Sequence, residues 1–155
     1  MRKALKTLLK GNIIKEKLRR IKEMSTKEQE FTLNQVSVLM WVKALNDFEN
    51  PDCPNDTLDD KIEKFDNETA NIDIDTFKDG LEKMCSIGVL ELSGEEQVYQ
   101  LTTNGKALMA ALSAAKGFSD ETMKKILNGT IKMVDFVKEH KSEILSIILT
   151  IIFKN

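Results

Sequence analysis

Residues 76–112 read TFKDGLEKMCSIGVLELSGEEQVYQLTTNGKALMAAL, and the succession of patterns inside this stretch decides the fold. Phe77, Leu81, Met84 and Cys85 recur at three- and four-residue intervals, which puts them on one face of a helix. Asp75 stands where an N-cap is expected, since a short acidic side chain accepts the free N–H groups of a first turn. Gly88 stops the helix, because glycine takes the left-handed conformation that helix ends commonly need. Val89, Leu90 and Leu92 then make a strand, Val98, Tyr99 and Leu101 a second, and Ser93 to Glu96 the hairpin turn. Thr102 or Thr103 caps an alanine-rich helix containing Leu108 and Leu112, which Gly117 ends.

Upstream, Thr32 and Gln35 have the spacing of a capping box. They open a helix with Val36, Leu39, Met40, Val42, Leu45 and Phe48, to which Val38 and Trp41 add further apolar faces. A helix apolar on more than one face belongs at the centre of a fold. Pro51 to Asn55 makes a loop, and Thr57 with Asp60 caps a short helix carrying Leu58, Ile62 and Phe65. Asp66 to Asn71 reads as a polar connection, and Ile72 and Ile74 alternate with Asp73 and Asp75 as a short strand or extended lead-in.

The two ends differ sharply from this middle. Leu5, Leu8, Leu9, Ile14, Leu18 and Ile21 form a helical stripe among nine basic residues, Arg2, Lys3, Lys6, Lys10, Lys15, Lys17, Arg19, Arg20 and Lys22. At the other end, Ser119 or Asp120 caps a long helical stretch interrupted at Asn128-Gly129. It finishes in the most hydrophobic run of the chain, residues 144–153. Ten residues are half of the roughly 20 that a membrane-spanning helix needs, so this run is expected to be buried against protein.

The formal charge of −2 conceals an asymmetry. Residues 1–24 set nine Lys or Arg against two Glu, whereas residues 45–100 set four Lys against sixteen Asp or Glu. Only the first segment has the charge to follow a polyanion. Cys53 and Cys85 have no metal-type neighbours, and Cys85 reads as a small apolar side chain in a reducing, cytoplasmic environment. The N-terminus interleaves lysines with its leucines and offers no clean signal-peptide core. His140, the only histidine, lacks a converging ligand set, and Asp59-Asp60 and Asp73-Ile74-Asp75 are read as caps and solvated acids. With no phosphate loop, nucleophile elbow or zinc motif, the expectation is no metal, no cofactor and no enzymatic activity.

The order helix, helix, helix, hairpin, helix resembles the winged helix-turn-helix superfamily, in particular regulators of the MarR and PadR families. The segment Tyr99-Gln100-Leu101-Thr102 running into Asn104-Gly105-Lys106 is similar to their Y-x-L-T-x-x-G exit from the wing. The resemblance covers residues 31–112 and implies a mainly α fold with a small β-hairpin. With the N-terminal stripe and the apolar C-terminal run, the chain divides into a basic amphipathic N-terminal helix (1–30), a winged-helix domain (31–116) and a C-terminal helical dimerisation segment (117–155).

The resemblance further implies a homodimeric DNA-binding transcription regulator whose third helix enters the major groove. Carried onto this chain, the reading residues are Thr76, Lys78, Lys83, Ser86 and Gln97. Outside the resemblance, the basic residues Arg2, Lys3, Lys6, Lys10, Lys15, Lys17, Arg19 and Arg20 either follow the DNA backbone or form the solvated face of a helix whose Leu and Ile stripe packs on a partner or in a dimer. An anionic membrane surface is the third reading. Ile144, Leu145, Ile148, Leu149, Ile151, Ile152 and Phe153 would form the dimer interface. Against this stand Asp79, Glu82, Glu95 and Glu96, which make the same helix and wing poor in positive charge. A winged-helix protein-interaction module without DNA contact is therefore the alternative, with a peripheral membrane protein third.

Overall fold

The central helix is the one with apolar residues on every face. In the computed structural model, which describes residues 31–48, 51–115 and 117–153, helix α1 spans Leu33–Asp47. Val36, Val38, Met40, Val42 and Ala44 are all 0 % exposed. Every residue from Val36 to Ala44 is buried, so over this stretch no side of α1 meets water. Each such Val or Met contributes roughly 1.5–3 kcal/mol by leaving water. Its start is set by the reciprocal capping box, in which Gln35 N–H donates to Thr32 Oγ1 and Thr32 N–H to Gln35 Oε1, each at 3.1 Å.

The remaining elements are α2 (Leu58–Glu63), α3 (Asn67–Ala70), α4 (Ile74–Ser86), β1 (Leu90–Ser93), β2 (Val98–Leu101), α5 (Thr103–Ala114), α6 (Asp120–Leu127) and α7 (Met133–Ile151). Helices α4, α6 and α7 all pack on α1, and α5 packs on α7. The described residues from Thr32 onward form one compact unit. The reading of residues 1–30 as a basic amphipathic helix lies outside the described residues. Among the described residues no helix is long and apolar enough to cross a membrane.

Two expectations for residues 66–75 are corrected. Asp66 to Asn71 is not a plain connection: Asp66 accepts from Glu68 N–H at 3.0 Å and caps the one-turn helix α3, which Asn71 closes at φ 54°. Nor is Asp75 the cap of α4. Asp73 takes both the backbone N–H of Thr76, at 2.8 Å, and its hydroxyl, at 2.9 Å, so the helix starts two residues earlier. This leaves Ile72 buried, Ile74 exposed inside the first turn, and Asp75 where the helix dipole favours an acid.

Helix α4 approaches α1 through a glycine. A Cβ added to Gly80 would lie 2.5 Å from Val38 Cβ, so the two helices touch at a point that admits no side chain. Phe65, expected within the second helix, lies just past its end and stacks on Phe77 of α4 with ring centroids 3.8 Å apart.

Within α7, Ile144 and Ile148 are 0 % exposed and Leu145 is 4 % exposed, so these three belong to the chain's own core. Leu149, Ile151, Ile152 and Phe153 are half-buried. Phe118, in the connection before α6, forms an aromatic cluster with Phe136 and His140 of α7, and His140 Nδ1 lies 3.7 Å from Glu143.

One cation is wholly buried among the described residues. Lys43 of α1 pairs with Asp47 one turn later and donates to the Ser113 hydroxyl of α5, which joins α1 to α5 through a charged group in the core.

Candidate functional site

Helix α4 and the hairpin form one continuous surface feature. Ile87 ends α4, and Gly88, at φ 84°, turns the chain directly into β1. Strands β1 and β2 pair antiparallel with Leu90 opposite Leu101 and Leu92 opposite Tyr99. The connecting turn uses two left-handed residues, Gly94 at φ 78° and Gln97 at φ 55°.

The exit from the hairpin explains why Thr102 and Gly105 stand where they do. Thr102 Oγ1 accepts from Gly105 N–H at 2.9 Å, which caps α5, while its hydroxyl donates to the carbonyl of Gly88. A Cβ on Gly105 would lie 2.0 Å from the Val89 carbonyl oxygen. The first turn of α5 therefore sits directly on the backbone that enters β1. This is a requirement for glycine set by contact and not by local conformation.

A further tie was not legible in the sequence. The outer edge of β2 is held by α2, where Asp59 Oδ1 accepts from Tyr99 N–H at 2.8 Å. The open edge of a two-stranded sheet thus gains a carboxylate in place of a third strand. The signal that could have pointed to it is the pair Asp59-Asp60, of which only Asp60 is used in the cap of α2.

The candidate reading residues fall on the solvent side of α4 and the hairpin but differ in what they offer. Lys78, Asp79, Glu82 and Ser86 are exposed, and Thr76 and Lys83 are half-buried. Three of the expected readers already use a side-chain donor locally. Thr76 gives its hydroxyl hydrogen to Asp73, Ser86 to the Lys83 carbonyl at 2.8 Å, and Gln97 Nε2 donates to the Gly94 carbonyl at 3.2 Å. Lys78 and Lys83 are the cationic residues of the α4–hairpin segment, which also carries Asp75, Asp79, Glu82, Glu91, Glu95 and Glu96. Arg2, Lys3, Lys6, Lys10, Lys15, Lys17, Arg19 and Arg20 lie outside the described residues.

The chemistry beneath this face is quiet. Burial, with Glu82 adding to it, pushes the Cys85 thiol up, so its reactive thiolate is disfavoured. Burial likewise raises the Tyr99 phenol. Among the described residues Asp59, Asp60 and Glu63 form a group of carboxylates close enough to share an ion. Two of the three have structural work instead: Asp59 holds Tyr99, and Asp60 is held below the ordinary aspartate range first by the Thr57 N–H and then by its hydroxyl.

Comparison of the chain with protein-family models, with curated proteins and with solved structures finds no match.

Proposed function

We propose that this chain is a winged-helix binding protein, with α1, α2 and α4 as its helical triad and the β1–β2 hairpin as its wing. The observation that carries the functional reading is the charge of the α4–hairpin face, where six carboxylates stand against Lys78 and Lys83. Duplex DNA binding draws much of its affinity from neutralising phosphates. A face of this sign repels them and complements a basic protein surface. The face is therefore a protein-docking surface, and the chain acts by binding and not by catalysis.

The test is a titration of duplex DNA at low salt with the full chain, alongside the double variant Lys78→Glu/Lys83→Glu. No loss of duplex affinity in the variant is expected. A loss of about tenfold or more, with a shallower salt dependence, would show that α4 reads DNA and overturn the proposal. In parallel, a deca-lysine peptide should shift the amide signals of α4 and the hairpin, and Glu82→Lys/Glu95→Lys should abolish the shifts.

A second reading rests on the nine basic residues among 1–24. In it, duplex DNA is held by that segment, and the protein is a homodimeric regulator whose recognition unit contributes little charge. Deleting residues 1–24 then removes DNA binding that Lys78→Glu/Lys83→Glu leaves intact. Self-association in either reading uses the half-buried Leu149, Ile151, Ile152 and Phe153. Leu149→Lys, which leaves buried Ile148 in place, would yield a monomer by light scattering.

A further inference from the structure

The hairpin has a second outer edge, that of β1, and the register fixes what it offers. Opposed residues of an antiparallel pair alternate between those that exchange hydrogen bonds and those that turn N–H and C=O away from the other strand. Thr102 N–H donates to the Val89 carbonyl at 3.1 Å, and these two residues continue the register in which Leu90 faces Leu101. The alternation then bonds Glu91 with Gln100 and Ser93 with Val98, and turns Leu92 and Tyr99 outward. The bond of Tyr99 N–H to Asp59, away from β1, has this same phase. Leu92 therefore presents its N–H and C=O along the outer side of β1.

This edge is open at Leu92, which is 44 % exposed. Among the described residues its N–H and C=O have no hydrogen-bond partner. Sheet edges are commonly blunted by lysine, proline or a bulge. Strand β1, Leu-Glu-Leu-Ser, has neither residue, and its positions pair with β2 one to one. What marks it instead is charge of one sign. Residues 88–101 hold Glu91, Glu95 and Glu96 and no Lys, Arg or His. Edge-to-edge pairing with β1 of a second copy would bring these acids against their equals, which opposes it. A strand carrying cations gains from the same carboxylates.

We infer that the outer edge of β1 accepts an extended segment of a partner protein as a further antiparallel strand, in which Lys or Arg alternates with apolar residues. Glu91 and Leu92 point to opposite faces of the pleated strand. A partner residue set opposite Leu92 exchanges two main-chain hydrogen bonds with it and lays an apolar side chain beside it. The residues flanking that one fall on the other face, where Glu91 meets their cation. Main-chain bonds supply the attachment and the alternation supplies the selectivity. This inference rests on the reading of the α4–hairpin face as a protein-docking surface, and it names the edge used and the conformation of what docks there.

The full chain, isotope-labelled for amide spectroscopy, is titrated at low salt with acetyl-Lys-Val-Lys-Val-Lys-Val-Lys-amide. A second peptide of the same sequence carries N-methyl groups on its valines, which keeps the charge but removes the donors that strand addition needs. The first peptide should bind about tenfold or more tightly than the second. It should also slow exchange of the Leu92 amide by about tenfold or more. Glu91→Lys, a change at an exposed position, should weaken it by about threefold or more. Equal affinity of the two peptides, or a Leu92 amide that exchanges as freely in the complex as in the free chain, overturns the inference. In both cases shifts spread over α4 and the hairpin leave the docking reading standing. Failure of either peptide to bind also overturns the inference, and the docking reading falls with it only where deca-lysine is silent as well.

Discussion

The backbone N–H of Tyr99 donates to Oδ1 of Asp59 at 2.8 Å, a bond that spans 40 residues and fastens the hairpin to α2. Hydrogen bonds to a charged group are worth about 1.5–3 kcal/mol, more than most neutral ones. Asp59→Ala should therefore lower stability by about 1–2 kcal/mol in urea denaturation. The local effect is the sharper check. Amide exchange at Tyr99 should accelerate well beyond the global change, and protection equal to that of the wild type would show that β2 does not rely on α2.

Gly80 and Val38 make a second decisive pair, since a Cβ at Gly80 would sit 2.5 Å from Val38 Cβ. Helix propensity alone says that Gly80→Ala should stabilise α4 by about 1 kcal/mol. Overpacking against α1 opposes this by roughly 1–3 kcal/mol or more, and the clash is with a side-chain root that cannot swing aside. Net destabilisation is expected. In the double-mutant cycle with Val38→Gly the two losses should be strongly non-additive, because the second change removes the Cβ that the first one meets. Additive losses would mean that the helices separate elsewhere.

The buried pair of Lys43 and Asp47 predicts an asymmetry between breaking and replacing. Lys43 has 0 % side-chain exposure and Asp47 14 %. Among the described residues, Asp47→Ala leaves the ammonium group with Ser113 as its side-chain partner and should cost about 3–5 kcal/mol. Replacing both groups, Lys43→Met with Asp47→Leu, removes the buried charges together and should recover most of that loss. Calorimetric unfolding of the three variants separates these outcomes, and a double variant as unstable as Asp47→Ala would contradict the account.

Acid stability follows from the caps. Asp73 is held below the ordinary aspartate range by the Thr76 N–H and then its hydroxyl, and Asp66 by the Thr69 hydroxyl and then backbone N–H groups. Asp60 behaves alike, through Thr57. With folded values depressed, these groups add stability that is fully present above the unfolded value of about 4. It is lost as pH falls through the lower folded values. The urea midpoint should thus decline below about pH 4, and Asp73→Asn, which retains the cap without the charge, should flatten that decline. An unchanged pH slope in this variant would remove Asp73 from the explanation.

Much of the local architecture was legible from residue patterns. The capping boxes at Thr32 and Thr57, the stop at Gly88, the hairpin and the break at Asn128-Gly129 all follow from chemistry within a few residues. The error at Asp75 arose because two aspartates compete for one cap, and the hydroxyl of Thr76 favours Asp73. The expected readers Thr76, Ser86 and Gln97 were identified by position, which does not reveal that their donors are turned back onto the chain.

By itself, then, the sequence determined the order of the helices and hairpin apart from one-turn α3, the central place of α1 and the acidic sign of the α4–hairpin segment, since periodicity, caps and charge are properties of neighbouring residues. Tertiary structure alone decided that Ile144, Leu145 and Ile148 enter the chain's own core. It also decided that Gly80 and Gly105 must lack side chains and that Asp59 holds Tyr99. Each of these depends on which surfaces meet after the chain folds back on itself, and residues far apart in sequence carry no local signal of that meeting.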